Sequence, residues 1–301
     1  MRIYRGRVAA TSRPEARSQE MGELMSASSG RSGKGWALLA AAAVGMGIAW
    51  SAGAQITNTK HNLGTAPGGT GVNQFSGTGE ICVFCHTPHG ADTTAAVPLW
   101  NRTLPSAGSF TTYDSLATST LDGKTLPVGS VSIACLSCHD GVTSMSAVIN
   151  APGSGTTGDA AWVAGTWSGA NQTAGKIAAG LITNIGTDLR NDHPIGIQYC
   201  GGGITTTSTS GSNTDCNDQD FKGPNKITGQ NIWYVDTGTA GRQKTDMILY
   251  TRSGETFNSG GTSVAEPFVE CASCHDPHTT NATFLRISNS ASAVCLACHT
   301  K

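Results

Sequence analysis

The sequence predicts a mostly irregular fold, with short helices at four cysteine motifs and a few short strands. The 301 residues include 39 glycines, while aromatic residues make up 6% of the chain and charged residues 13%. Sequence rich in glycine, serine and threonine favours turns over long helices. A chain poor in large apolar side chains has difficulty building a large core. We therefore expect another source of apolar bulk inside the fold.

The N-terminal segment indicates export rather than a part of the fold. Residues 36–50 form an apolar run that follows basic residues, and an A-x-A cleavage pattern occupies residues 52–54. We predict a signal peptide over residues 1–54, or from Met25 if translation starts there, and a mature chain from Gln55. The run is about 15 residues, shorter than the roughly 20 that span a bilayer. An uncleaved anchor is the alternative.

Charge argues against nucleic acid as a partner. Removing residues 1–54 takes away 7 basic and 3 acidic residues, which leaves 12 basic and 17 acidic residues and a net charge of −5. Nucleic-acid binding calls for a basic patch. No other stretch is long and apolar enough to span a membrane, so we expect no membrane span after signal removal.

Ten cysteines dominate the chemistry of the chain, and eight of them fall in C-x-x-C-H motifs. This motif is the attachment signature of c-type haem: the two thiols form thioether bonds, and the adjacent histidine reaches the iron as proximal ligand. Four motifs predict four covalently bound haem c groups. The motif residues are Cys82, Cys85 and His86; Cys135, Cys138 and His139; Cys271, Cys274 and His275; and Cys295, Cys298 and His299.

Zinc binding and disulfide formation are alternative interpretations of these cysteines. The last two pairs, Cys271/Cys274 and Cys295/Cys298, have the spacing of a four-cysteine zinc site. Disulfides are common in exported proteins. Neither reading explains why a histidine follows each of the four pairs at once.

The two remaining cysteines, Cys200 and Cys216, are predicted to form a disulfide that closes a glycine- and threonine-rich loop. Acidic residues at one end of the loop give a weaker alternative, a calcium site. The candidate ligands are Asp215, Asp218 and Asp220. A solvated acidic loop is the simpler interpretation.

Four histidines lie outside the motifs, equal to the number of predicted haems. They are His61, His89, His193 and His278. If each is a distal ligand, every iron is bis-histidine and has no position free for a substrate. The protein would then carry electrons and would not be an enzyme. Methionine ligation is less favoured, because the mature chain contains only Met145 and Met247.

Two of the spare histidines follow a motif histidine by three residues, in an H-x-P-H element. These are His89 after His86, and His278 after His275. If the segment is helical, residues i and i+3 project from nearly the same face. Axial ligands approach an iron from opposite sides, so the second histidine must serve another haem. The element therefore predicts two haems held close together.

The motifs repeat as two dihaem units. We predict an N-terminal module over 55–145, a Gly/Thr/Ser-rich segment without motifs over 146–265, and a C-terminal module over 266–301. The simplest ligand assignment pairs His61 with His86, His89 with His139, His193 with His275, and His278 with His299. In the middle segment we predict strands at 232–235 and 247–250. Tryptophans, including Trp100 and Trp233, are expected to pack against haem or in small cores.

Several short segments of the sequence resemble the multihaem c-type cytochromes of metal-reducing bacteria, most closely the tetrahaem OmcE-like extracellular cytochrome nanowires. They are "ITNTKHN", "EICVFCHTPHGA", "VPLWNRT", "CLSCHDG" and the final "CLACH". The resemblance implies little regular structure, wrapped around a stacked array of bis-histidine haems. It also implies head-to-tail polymerisation, in which one haem takes its distal ligand from the next subunit. His61, near the mature N-terminus, is the candidate for that ligand.

Taken together, the motifs predict an exported electron carrier at the cell surface, outside the cell or in the periplasm. Its expected partners are copies of itself, other redox cytochromes and extracellular electron acceptors. A monomeric periplasmic shuttle is one alternative. A multihaem reductase is another, and it would need one iron with an open position.

Overall fold

Short elements separated by turns make up the computed structural model, which describes residues 55–153, 158–205, 210–238, 241–252, 254–259 and 262–301. The predicted signal peptide lies outside these residues. Helices and strands are brief because glycines repeatedly adopt the left-handed region, as Gly141 does directly after a helix with φ of 68°. Within the described part of the chain, no helix is long and apolar enough to cross a membrane.

The α-helices are α1 (Ser130–His139), α2 (Ala160–Val163), α3 (Cys271–Cys274) and α4 (Ala293–Cys298). Three of them carry a C-x-x-C-H motif, and a 3₁₀ turn over Cys82–Phe84 carries the remaining one. Further 3₁₀ turns cover Gln55–Asn58, Ala107–Ser109, Tyr113–Leu116, Tyr199–Gly201, Asn213–Asp215, Ala282–Phe284 and Ser290–Ser292. The predicted short helices at the motifs are thus present in the fold.

Eleven short strands occur in the described residues: β1 (Gln74–Phe75), β2 (Trp167–Ser168), β3 (Gln172–Thr173), β4 (Lys176–Ile177), β5 (Ile197–Gln198), β6 (Asn225–Lys226), β7 (Trp233–Val235), β8 (Met247–Thr251), β9 (Phe257–Ser259), β10 (Thr262–Val264) and β11 (Pro267–Val269). Five form an antiparallel sheet in the order β5-β11-β8-β7-β6. The two strands predicted in the middle segment are confirmed as β7 and β8, each within a residue of its predicted bounds.

The largest apolar cluster surrounds the disulfide between Cys200 and Cys216, whose Cα atoms are 5.5 Å apart. Trp233 and Met247 of the sheet are fully buried in this cluster, and Ala297 of α4 packs into it. Two smaller clusters lie elsewhere in the fold, one around Phe84 and one around α1. The cluster at the disulfide therefore joins the sheet to the last cysteine motif.

The segment without motifs pairs with both segments that carry them. Gln74 of β1 pairs with Ser168 of β2, and Arg102 forms a bridge with Val148. Phe221 forms a bridge with His299 at the other end of the chain. The residues that the structure describes belong to a single compact unit.

Candidate haem-binding site

The first motif lies on a single 3₁₀ turn. The backbone N–H groups of Cys85 and His86 both donate to the carbonyl of Cys82, at 3.1 and 2.8 Å. Asn101 ties this turn to the "VPLWNRT" segment: its backbone N–H donates to Cys85 at 2.8 Å, and its side-chain amide donates to Val83 at 2.7 Å. One turn therefore presents both thiols and the histidine, as haem attachment requires.

The second motif occupies the last turn of α1. Asp140 caps the helix, and its carboxylate accepts the backbone N–H groups of Val142 and Thr143 at 2.9 and 2.8 Å. Gly141 then reverses the chain, since its positive φ is costly for other residues. The reversal lies two residues after His139, the final residue of the helix.

The third and fourth motifs end differently, because the histidine lies just beyond the helix. His275 and His299 have extended backbone angles, with φ of −104° and −89°. Each still donates its backbone N–H to the first cysteine of its motif, at 3.1 and 2.9 Å. In α3, Glu270 and Ser273 form a reciprocal capping box that holds the start of the helix.

The eight motif cysteines are free thiols, and neighbouring motifs bring them close together. Cys85 lies near Cys138, and Cys135 lies near Cys271. Cys274 and Cys298 are also electrostatic neighbours. Burial raises the pKa of Cys85 and of Cys298 to about 12. The four motifs thus adjoin one another in chain order, as a row.

Backbone carbonyls orient the motif histidines. The Nδ1 atoms of His86, His139 and His275 lie 2.8, 2.8 and 2.9 Å from the carbonyl oxygens of Pro98, Thr183 and Thr283. A carbonyl can only accept, so each Nδ1 carries a proton, which leaves Nε2 as the nitrogen that would bind a metal. Histidines that bind a metal through one ring nitrogen usually donate a hydrogen bond from the other nitrogen in this way.

The spare histidines are held in a similar way. The Nδ1 of His193 is 3.0 Å from the carbonyl of Pro194, and the His61 ring lies near the backbone of Pro277. The Nδ1 of His278 is 3.3 Å from a carboxylate oxygen of Asp276. Burial, aided by the nearby His139, lowers the pKa of His61 to about 4. A neutral ring is the form that binds a metal.

Two ring pairs combine a motif histidine with a spare one. The ring centroids of His61 and His139 are 6.2 Å apart, and those of His86 and His278 are 6.3 Å apart. A histidine nitrogen binds a transition metal at about 2.0 Å and lies roughly 1.2 Å from its ring centroid, so two axial histidines place their centroids about 6.3 Å apart. Each pair would therefore be spaced to hold one iron between its two rings.

A third spare histidine has a motif histidine as its neighbour. Burial lowers the pKa of His193, and the charge of His299 contributes to the same shift. Phe221 packs against His299 with 4.3 Å between ring centroids. The two histidines left over, His89 and His275, are both exposed. The described ring contacts include none between these two.

These contacts differ from the ligand assignment predicted from the two repeats. The structure brings His61 to His139 instead of His86, and His278 to His86 instead of His299. The assignment assumed self-contained units, whereas α1 packs directly against α3 and interleaves them. The helical i,i+3 argument also does not apply, because α3 ends at Cys274 and Pro277 keeps the following chain extended.

The alternative metal sites receive no support from the arrangement of side chains. Across the described ranges, no group of three or more His, Cys, Asp or Glu side chains is arranged to hold a metal ion. The four-cysteine zinc site and the aspartate calcium site are therefore not formed there. Asp220 instead pairs with Lys301, and Asp218 accepts the backbone N–H of Asp220 at 2.9 Å.

Sequence reasoning did not identify the groups that support the ligands. The carbonyl acceptors belong to backbone and have no residue signature. Phe284, stacked on His61 at 4.2 Å, and the buried Arg102 were also missed. One signal for a buried arginine was present in the sequence: Arg102 lies in the mostly apolar segment "VPLWNRT", in a chain with only 13% charged residues.

Comparison with known protein families finds a match at the C-terminal end of the sequence. Residues 264–301, which hold the third and fourth motifs, match the family described as "Doubled CXXCH motif". This paired motif indicates a multihaem c-type cytochrome. It implies covalently bound haem c, a role in electron transfer and an exported protein. A search of curated proteins found no match to the chain.

The residues present fit haem c in both thiols and ligands. Each motif offers two unpaired thiols, and the ring nitrogens opposite the carbonyl-bound Nδ1 atoms are free to bind iron. Haem, when bound, supplies the one-electron redox chemistry. The chain itself holds the rings in place and brings neighbouring motifs into contact.

Proposed function

We propose that the protein is an exported tetrahaem c-type cytochrome that carries electrons through closely spaced bis-histidine haems outside the cytoplasm. The observation that carries this proposal is the separation of 6.2 and 6.3 Å in the His61–His139 and His86–His278 pairs. A saturated iron has no position for substrate, which favours an electron carrier over an enzyme. Neighbouring thiols between successive motifs favour a continuous row of haems, around which the irregular chain is wrapped.

Ligand pairing within one chain accounts for three of the four proposed haems. We assign His193 to the haem at His299, its electrostatic neighbour, as the third pair. The fourth iron, bound by His275, is left with His89 as its remaining candidate. Both rings are exposed, so we assign them to different copies of the chain: His89 of one copy completes the haem at His275 of the next. His61 is less suited to this role than its position suggested, because it packs against Phe284 and His139.

This arrangement supports a filament. A contact that joins the His89 surface of one subunit to the His275 surface of another is heterologous, and such contacts give open filaments when the rotation between subunits does not close. The haem at His275 would then be shared between subunits and would bring the row of one subunit next to the first motif of another. We therefore place the protein at the cell surface or outside the cell, passing electrons to extracellular acceptors.

The exposed His275 favours a second candidate function. In an isolated monomer, an iron held by His275 alone would have an open position, as a ligand-binding haem or a reductase would need. The two functions differ in whether that position is filled in the assembled protein. A periplasmic shuttle differs from both in its oligomeric state, because it stays monomeric at all protein concentrations.

The test uses the mature, haem-loaded protein. Mass spectrometry should find four haems per chain, and electron paramagnetic resonance of the oxidised assembly should show only low-spin iron. Negative-stain microscopy should show filaments. His89→Ala should abolish the filaments and expose one high-spin haem per chain, while His278→Ala should add a high-spin signal from the haem at His86. High-spin iron in intact wild-type filaments would contradict the electron carrier and support a reductase. Wild-type protein that stays monomeric at high concentration would contradict the filament and support a periplasmic shuttle.

A further inference from the structure

The backbone of His89 is held by two side chains, although its ring is exposed. The Thr87 hydroxyl donates to the carbonyl of His89 at 3.0 Å, and the side-chain amide of Asn150 donates to the same carbonyl at 2.8 Å. Gly90 allows this approach, because its φ is 64° and a Cβ atom there would lie 3.3 Å from Asn150 Nδ2. The segment around His89 is neither helix nor strand. Asn150, which lies 61 residues further along the chain, therefore restrains an irregular part of the surface.

Hydrogen bonds connect Asn150 in turn to the first cysteine motif. The Asn150 backbone N–H donates to the side-chain carbonyl of Asn101 at 2.8 Å, and the Asn101 amide donates to the carbonyl of Asn150 at 2.9 Å. Asn101 is fully buried, and the same amide donates to the carbonyl of Val83 at 2.7 Å. An unbroken chain of hydrogen bonds therefore leads from His89 to the turn that carries the first motif.

The segment that ends at Asn150 is also fixed to α1, through Arg102. The Arg102 guanidinium is fully buried and donates to the carbonyls of Met145 and Ser137, each at 2.7 Å. Arg102 also forms a backbone bridge with Val148. A buried guanidinium is costly to leave unsatisfied, so displacing this segment from Arg102 would be unfavourable. Asn150 therefore acts from a fixed part of the fold.

The second H-x-P-H element is held differently. There the Asp276 carboxylate accepts the backbone N–H of His278 at 2.9 Å, a bond made within the element itself. The His278 ring faces His86 of the same chain, whereas the His89 ring is exposed. Asn150 thus anchors the element whose second histidine is exposed.

We propose that Asn150 is a positioning residue for the subunit interface, which holds His89 ready to bind the haem at His275 of the next copy. A flexible segment loses conformational entropy when it binds, and a segment ordered beforehand has less entropy to lose. Holding the backbone by its carbonyl does not engage the ring nitrogens, one of which the iron would need. This role rests on the proposed function, in which His89 completes a haem of a neighbouring copy, and adds the group that prepares His89 for that contact.

The experiment uses imidazole as a diffusible substitute for the His89 ring, added to filaments of the haem-loaded protein. Sedimentation gives the imidazole concentration at which half of the filaments have dissociated. Asn150→Ala should lower this concentration about tenfold, because the hydrogen bonds to His89 and Gly90 are lost. Asn150→Asp has the same shape but no amide donor, so its decrease should be at least as large. Asn217→Ala is the matched control: its amide donates to the carbonyl of Gly201 at 3.0 Å, in the disulfide loop, and the concentration should stay unchanged.

A second measurement separates positioning of His89 from damage to the haem site. Optical titration of dilute, dissociated protein with imidazole gives the affinity of the open iron at His275. This affinity should be the same in wild type and in Asn150→Ala, because the side-chain hydrogen bonds of Asn150 go to the His89 segment. A structural defect that reached the haem at His275 would change it.

Several outcomes would overturn the role of Asn150. An unchanged dissociation concentration in Asn150→Ala would do so, as would wild-type behaviour of Asn150→Asp or a weaker imidazole affinity of the dissociated variant. If neither variant matures, the wild type decides: in reduced monomers saturated with imidazole, the backbone order parameter at His89 should be about 0.85, and a value below about 0.6 contradicts the proposal. Wild-type protein that never forms filaments would refute the proposed filament and this role together, whereas filaments indifferent to Asn150 refute the role alone.

Discussion

Replacing Glu270 should weaken the contact between α1, which carries the second motif, and α3, which carries the third. The Glu270 side chain is almost fully buried, and its carboxylate accepts from Arg252 Nε at 2.6 Å, from the Ser132 hydroxyl of α1 and from the backbone at the start of α3. Glu270→Ala leaves the Arg252 charge, whose side chain is 11% exposed, without its partner. Removing one member of a buried ion pair costs about 3–5 kcal/mol.

The assay is guanidinium unfolding of the haem-loaded protein with its disulfide intact, followed by circular dichroism. Glu255→Ala is the matched control, because Glu255 pairs with Lys124 at 3.3 Å on the surface, where such pairs contribute about 0–1 kcal/mol. The double variant Arg252→Met with Glu270→Leu should recover much of the loss, since it leaves no buried charge unpaired. A Glu270→Ala cost no larger than that of Glu255→Ala, or a double variant as unstable as the single one, would refute the reasoning.

Three further predictions concern the fold as a whole. Replacing Cys200 and Cys216 with serine should lower the free energy of unfolding by about 3 kcal/mol, because the bridge closes a loop with a sequence separation of 16; an unchanged denaturation midpoint would contradict this. A haem-free preparation should lack native circular dichroism, since strands of two to five residues and small clusters bury little apolar surface; native-like spectra from that preparation would count against it. Burial raises the pKa of Glu266 above its unfolded value, so the folded state binds the extra proton and stability falls as pH rises above about 4.5. Glu266→Gln should flatten this part of the stability profile, and identical profiles for the two proteins would exclude the assigned cause.

The local character of the chain was predictable because it depends on residue type and spacing. Motif helices follow from C-x-x-C-H, and β7 and β8 follow from short aromatic and β-branched runs. The disulfide partners were the only two cysteines outside the motifs, and the structure joins them. The helical geometry supposed as a condition after His275 is not formed, because a proline two residues later constrains the backbone.

The sequence by itself determined which residues can attach haem and that histidines suffice for both faces of four irons, because counting and motif spacing are properties of the chain alone. Only the tertiary structure decided which histidine faces which. The pairing of His61 with His139 and of His86 with His278 depends on the packing of α1 against α3, and such contacts between residues distant in sequence leave no periodic signal. The same holds for Arg102, whose place between two motifs results from hydrogen bonds to carbonyls that every residue carries.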